Sequence, residues 1–395
     1  MVRLRVCLAA AGFLSAFALH AEEPAPPPPA AAEPAPPELR PALVRPLLAD
    51  AEAGKNDSSP SWAPAGDMIA FERAEESKRE IVIARVDGTV VKTVYYQTDD
   101  DDMGLGALLP SLGKATSYNS GITWSPAGDR FVFMSNAGEG NYDLYLGTLA
   151  SKTLLRLTRD PQKDGQPHWS PQGGPVAFVS GRSGGAQLFL LDVDTQRAVS
   201  ISPGDKAYLY PRWSPDGKRI AAIYGANENH DVVVIDRLPM KPTDDPRAVR
   251  QRQLTTWAYD DLSPSWSPDG KRIAFYSNYN LQNDPKVWSL VVVDADGSSP
   301  TEGEGLAARV VAYNVVPDVS MGPAWLPDSR RIAYVRNDKQ DYSPINVVDV
   351  ETRQSRRLAT GTAINHDLAT SANGLLAFRA QVDQWDRIFI VKIDE

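Results

Sequence analysis

Only three histidines, His168, His230 and His366, lie beyond the first 21 residues of this 395-residue chain. A transition-metal centre needs three or four converging ligands, and no His-x-His pair or comparable cluster accompanies them. His168 and His366 are therefore weak candidates for a metal, and isolated hydrogen-bonded histidines are the default. Gly181-Arg182-Ser183-Gly184-Gly185 matches the G-x-S-x-G letters of serine hydrolases. That motif works only at a strand-to-helix elbow with a downstream acid and histidine, and here it falls in a polar loop between two strand-like runs. No catalytic residue is assigned and no cofactor is expected.

A more regular pattern belongs to recognition. Five places before a recurring tryptophan stand Asp57, Asn119, Asp164 and Asp261, with Tyr208 and Ser320 in the remaining units. A ring of carboxylates and amides at a channel mouth would bind a cation, a basic peptide arm or sugar hydroxyls. The equal alternative is a set of turn caps satisfying backbone N–H groups. Tyr142, Tyr279, Tyr342 and Trp385 fall in loops expected on the same face, and Trp257 and Tyr259 lie close by. Rings amid Asn and Asp are what protein-binding and sugar-binding surfaces both use. The run Asp99 to Asp102 lacks the spaced ligands and glycine of a calcium loop and reads as a solvated insertion.

Internal repetition places these residues. Six segments align on Trp62, Trp124, Trp169, Trp213, Trp266 and Trp325, as in SPSWSPDGKRIAF, and a seventh, HDLATSANGLLAF, aligns with Ala369 in the tryptophan position. The shortest period is 44 residues, from Trp169 to Trp213. Within each unit a short strand ends in the tryptophan, Ser-Pro-Asp-Gly makes a tight turn, and an apolar strand follows. A polar loop and two further β-rich runs complete four strands, the size of one propeller blade. The expected fold is all-β, a seven-bladed β-propeller, with six blades and a terminal cap as the alternative. The last unit ends one strand short, and Ala42 to Leu48 resembles the missing strand, so pairing of the two termini would close the ring.

The N-terminal residues read as export and spacing. Arg3 and Arg5 precede an apolar stretch from Val6 to Leu19, so residues 1–21 are expected to be a signal peptide. That stretch is shorter than the roughly 20 residues of a membrane span. Cys7, the single cysteine, would leave with it. Residues 22–42 hold nine of the 32 prolines and read as an extended linker, followed by the propeller at 43–395. Losing two arginines takes the formal charge from −9 to −11, and without a basic face nucleic acid is not an expected partner.

The WSPDGKRIAF units resemble the propeller repeats of TolB proteins from roughly Ser58 onward. The resemblance implies a periplasmic or secreted binding scaffold, although the α/β domain that precedes the TolB propeller has no counterpart here. Related propellers also occur in peptidases and oligogalacturonate lyases. The leading expectation is a non-catalytic scaffold that binds an envelope protein or lipoprotein through its loop-rich face. The alternative is a carbohydrate-binding or lyase-like propeller with a metal in its channel.

Overall fold

The computed structural model describes residues 38–39, 44–49, 54–75, 78–94, 119–137, 141–226, 229–236, 238–240, 245, 248–279, 284, 286–299, 309–338 and 342–393. The expected signal peptide with Cys7, the linker apart from Glu38 and Leu39, and the Asp99 to Asp102 run lie outside them. In chain order the strands open with β1 (Glu38–Leu39) and β2 (Val44–Pro46). Blade 1 is β3 (Lys55–Trp62), β4 (Met68–Glu75), β5 (Lys78–Arg85) and β6 (Val90–Val94); blade 2 is β7 (Asn119–Trp124), β8 (Arg130–Ser135), β9 (Asp143–Thr148) and β10 (Leu155–Arg156). Blade 3 is β11 (Asp164–Trp169), β12 (Val176–Ser180), β13 (Gln187–Asp192) and β14 (Arg197–Ser200); blade 4 is β15 (Ala207–Trp213), β16 (Ile220–Ala226), β17 (Asn229–Asp236) and β18 (Arg250–Gln253). Blade 5 is β19 (Asp261–Trp266), β20 (Arg272–Ser277), β21 (Trp288–Asp294) and β22 (Val310–Val315); blade 6 is β23 (Ala324–Trp325), β24 (Arg331–Val335), β25 (Ile345–Asp349) and β26 (Ser355–Leu358). Blade 7 is β27 (Asn365–Thr370), β28 (Leu375–Val382) and β29 (Trp385–Lys392), and the seven sheets form a seven-bladed β-propeller.

Each blade is an antiparallel meander whose first strand lines the axis. The second strands read as almost continuous apolar runs, and β20 is buried at five of its six positions. Such a strand has no solvated side, because both faces of its sheet pack on neighbouring blades. Seven apolar clusters result, one at each blade interface. The repeated turn closes by donation from Gly270 N to the Ser267 carbonyl at 2.8 Å, with Gly270 at φ 69°. Proline at the second turn position pre-sets φ, and glycine at the fourth accepts the left-handed conformation.

The tryptophans join blades, as a wedge between sheets requires. Trp62 donates its indole N–H to the Ala369 carbonyl at 3.0 Å, Trp124 to Ser61, Trp266 to Arg212 and Trp325 to Ser265. In each case the acceptor lies on the innermost strand of the preceding blade. The arginine of the repeat adds a second link: Arg219 lies 4.7 Å from the ring of Trp266, and Arg272 lies 5.7 Å from that of Trp325.

Register in the last blade corrects the alignment made from sequence. Trp266 pairs with Ile273, and the equivalent pair in blade 7 is Thr370 with Leu376, so Thr370 rather than Ala369 holds the tryptophan position. The turn in that unit is one residue shorter, which shifted the alignment. Thr370 Oγ1 donates to the Trp325 carbonyl at 2.6 Å and supplies a link to blade 6 by another route.

The termini meet as the closure argument requires. β2 pairs antiparallel with β29, Val44 opposite Val391, and completes blade 7. Beyond it Leu47, 1% exposed, enters the cluster between blades 7 and 1 and donates its N–H to the Ile388 carbonyl at 2.8 Å. Arg45 reaches the Val86 carbonyl in blade 1. β1 lies parallel to β26 and adds a fifth strand to blade 6, Glu38 opposite Arg357. The segment from Glu38 to Leu47 thus touches blades 6, 7 and 1 in succession. Leu47→Ala is expected to cost about 2–5 kcal/mol, measured as a lowered denaturant midpoint; an unchanged midpoint would mean that the N-terminal strand does not hold the ring shut.

Candidate functional site

Five of the six residues that stand five places before a tryptophan lie at the entry of an innermost strand and are buried, whereas Ser320 is exposed in the turn before β23. Asp57, Asn119, Asp164, Tyr208 and Asp261 are each at most 2% exposed, and the corrected register adds Asn365 at 0%. Asp57 accepts two hydrogen bonds from Arg73, at 2.7 and 2.9 Å, and Asp164 accepts one from Arg182 at 2.8 Å. Asn119 donates to the Arg79 carbonyl and Asn365 to the Ser343 carbonyl. The Tyr208 hydroxyl accepts from Gly204 N and bonds Gln251. Of the two readings of this set, buried caps describe these residues and an open ring at a channel mouth does not. Asp57 and Asp164 tie the entry of a blade to its own second hairpin strand or turn, and Asn119 and Asn365 tie it to the preceding blade, each buried group meeting at least one hydrogen bond.

Asp261 accepts from the indole of Trp257 at 3.0 Å. Burial pushes its carboxyl well above the usual range, against hydrogen bonds from Ser277, Thr255 and Trp257, and the nearby Asp231 adds to the rise. Trp257 is 9% exposed and stacks on Phe275, so it too belongs to the blade and not to a surface.

The remaining aromatics are accessible. Tyr259 and Tyr279 meet edge to face with centroids 5.1 Å apart and are half-buried, their inner edges against the cluster between blades 4 and 5. Beside them His230 Nδ1 lies 2.6 Å from Asp260 Oδ1, and Asp260 N donates to Asn278. Tyr342 and Trp385 are half-buried on blades 6 and 7, with Tyr342 accepting from Arg357 at 3.1 Å.

The channel is shaped by a feature of every innermost strand that sequence reasoning missed. Three places before the tryptophan position the chain turns left-handed, at Ser59, Gly121, Gln166, Tyr210, Ser263, Gly322 and Asp367, with φ between 51° and 76°. The sheet register slips at the same points, as between Gly165 and His168. A bulge leaves N–H groups without a ladder partner, and the preceding blade supplies acceptors. Ser59 N donates to Asp367 at 3.1 Å, Gly121 N to Glu72 at 3.0 Å, and Tyr210 N to Gln166 at 2.7 Å. Trp169 N donates to Thr123 Oγ1 and Trp213 N to His168 Nδ1. The glycines at two of the seven positions were the only sequence signal.

His168 and His366 line separate cavities. Because His168 Nδ1 accepts a backbone N–H, that ring is neutral with its proton on Nε2, and burial holds its pKa down at about 3. Burial also lowers His366, beside Arg379, Asp367 and Asp386. Among the described residues no three His, Cys, Asp or Glu side chains are grouped to hold a metal ion. Ser183 is exposed in the turn after β12, where the neighbouring Arg182 is committed to Asp164.

The cavity that contains His168 has a volume of about 700 Å³ and occupies the sector of the channel walled by blades 1 to 4. Pro64, Pro126 and Pro171 of the repeated turns form its rim, and Val319 to Met321, which precede blade 6, close it on the far side. Ser263 Oγ donates to the Val319 carbonyl at 2.6 Å and Arg212 to that of Ser320, which hold this plug in place.

Comparison with known proteins follows the architecture. The family model for the TolB beta propeller domain matches residues 110–303. A TolB homolog of Chlorobium luteolum is 35% identical over 150 residues, 38% of this chain and 32% of that relative, so the match spans about a third of the relative's length. A Mycobacterium tuberculosis puromycin-hydrolyzing peptidase superposes with a TM-score of 0.61 at 15% identity, covering 86% of this chain and 51% of its own. An oligogalacturonate lyase from Vibrio parahaemolyticus gives 0.60 at 11% identity, covering 89% and 94%. These two likenesses show a shared fold.

Asp261 has a testable energetic signature. A carboxyl whose folded pKa is raised contributes fully below its unfolded value, about 3.9, and loses that contribution as pH rises through the folded value. Blades 2 and 7 already use an amide at this position. Asp261→Asn is therefore expected to raise the melting temperature by about 2–4 °C at pH 7.5 and to leave it unchanged near pH 4. A lower melting temperature at both pH values would show that the ionised carboxylate is what the site needs.

Proposed function

This chain is a TolB-like β-propeller repeat protein, and from that premise we propose that it is an exported, non-catalytic scaffold that binds a protein partner of the cell envelope. The observation that carries the reading is the Tyr259–Tyr279 pair. It offers two half-exposed rings 5.1 Å apart on the loop-rich face, flanked by His230, Asp260 and Asn278. Aromatic edges with polar groups at their margin are the usual anchors of protein recognition. Tyr342, Trp385 and the 38%-exposed Tyr313 extend the aromatic content of that side of the molecule.

The polar residues that would be needed for chemistry are committed elsewhere. Asp57, Asp164 and Asp261 serve inter-strand contacts, and His168 Nδ1 serves Trp213. Periplasmic placement rests on the charged and apolar start of the chain together with the TolB-like repeats.

The test is affinity capture from an envelope extract with the full chain, unaltered and as Tyr259→Ala/Tyr279→Ala. A protein retained by the unaltered chain and reduced about tenfold or more by the double variant, equivalent to at least about 1.4 kcal/mol, supports the reading. Equal retention by both overturns the assignment of this face. A folded double variant, checked by an unchanged far-ultraviolet spectrum and a cooperative melting transition, is the condition for the comparison.

A further inference from the structure

The cavity between blades 1 and 4 has a consistent hydrogen-bonding character, set by the bulges around it. Every acceptor on its wall that the bulged strands reach is already used. Glu72 Oε1 takes Gly121 N and Oε2 takes Arg79 Nη1 at 3.0 Å; Gln166 Oε1 takes Tyr210 N; His168 Nδ1 takes Trp213 N; Thr123 Oγ1 takes Trp169 N. Three of these groups also keep hydrogens to give. Gln166 keeps its amide N–H₂, His168 its Nε2–H and Thr123 its hydroxyl proton.

Two guanidiniums complete the wall. Arg79 spends one N–H on Glu72, leaves Nε without a partner, and has a side chain 41% exposed. Arg212, from blade 4, donates to the carbonyls of Pro211 and Ser320, which uses two of five N–H donors. Among the described residues Glu72 is the one carboxylate lining the cavity, and Asp318 interacts electrostatically with Arg212. The balance is a chamber rich in donors, carrying two cations against one anion already bonded twice.

We propose that this chamber binds a carboxylate-bearing ligand, received between the guanidiniums of Arg79 and Arg212 with Gln166 and His168 as further donors. At about 700 Å³ it falls in the range of small-molecule sites, about 300–1,000 Å³. Planar guanidinium pairs with carboxylate through two parallel hydrogen bonds. His168 donates a hydrogen bond to the ligand as a neutral ring and does not change charge across the physiological range. The site opens at the turn prolines and shares no residue with the Tyr259–Tyr279 surface, so it stands or falls apart from the scaffold reading.

The same carboxylate chemistry is available from a free organic acid or from acidic side chains of a polypeptide. Calorimetric titration of the full chain at low ionic strength with citrate, with trimethyl citrate and with a capped Glu-Glu dipeptide separates the cases. Binding of citrate alone identifies free acids as the ligands, and tighter binding of the dipeptide identifies a polypeptide source. In either case Arg79→Gln is expected to weaken the bound acid at least about tenfold, with Arg79→Lys intermediate, and Tyr259→Ala/Tyr279→Ala is expected to leave it unchanged. Heat from trimethyl citrate equal to that from citrate, no heat from any of the three, or full affinity in Arg79→Gln overturns the proposal. The ester comparison uses the unaltered protein and stands even if the Arg79 variants fail to fold.

Discussion

The left-handed residue three places before each tryptophan position is the constraint on which the interior depends. In six of the seven blades it breaks the ladder between the first two strands and turns backbone N–H groups toward the neighbouring blade. Unpaired buried N–H groups are costly, so the neighbour must present acceptors at fixed places. Asp367, Glu72, Gln166, Thr123 and His168 are those acceptors. The blades are keyed to one another by polar contacts near the axis and by apolar clusters further out. The polarity of the channel follows from the same arrangement, since the acceptors are consumed and the donors remain.

Much of the fold was legible because one physical device recurs. Tryptophan, proline and glycine at fixed offsets specify a strand end, a turn and a strand start, and five such units with two variant ones leave few alternatives to a ring. The missing strand was legible for a similar reason: a unit lacking its fourth strand exposes an edge, and Val44 to Pro46 carries the pattern to cover it. The slip at Ala369 shows the limit. Without an indole to mark the position, the alignment kept the sequence spacing of the other units, although the turn before Leu375 had lost a residue.

The candidate site was less legible, and the reason is burial. Asp57, Asn119, Asp164 and Asp261 form a periodic set of polar residues in loop-entry positions, a pattern that a binding ring and a capping ring share. Only their partners distinguish the two, and partners such as Arg73 and Arg182 lie 16 and 18 residues away, on the adjacent strand and in the turn that follows it. Arg79 had no repeat to mark it, because it comes from the second hairpin of a single blade. Tyr259 and Tyr279 were legible as aromatics, but their edge-to-face contact joins two loops from different blades.

The pairing of Val44 with Val391 spans 347 residues, the difference of their positions. β2, made near the start of synthesis, therefore waits for β29 before it has a strand partner. Contacts of such sequence separation make folding slow, and until they form, blades 1 and 7 each present an open apolar face. A nascent chain of this architecture stays unclosed until β29 has been made. Its native ring is consequently a late and all-or-none event, and residues 44 to 47 act as its latch.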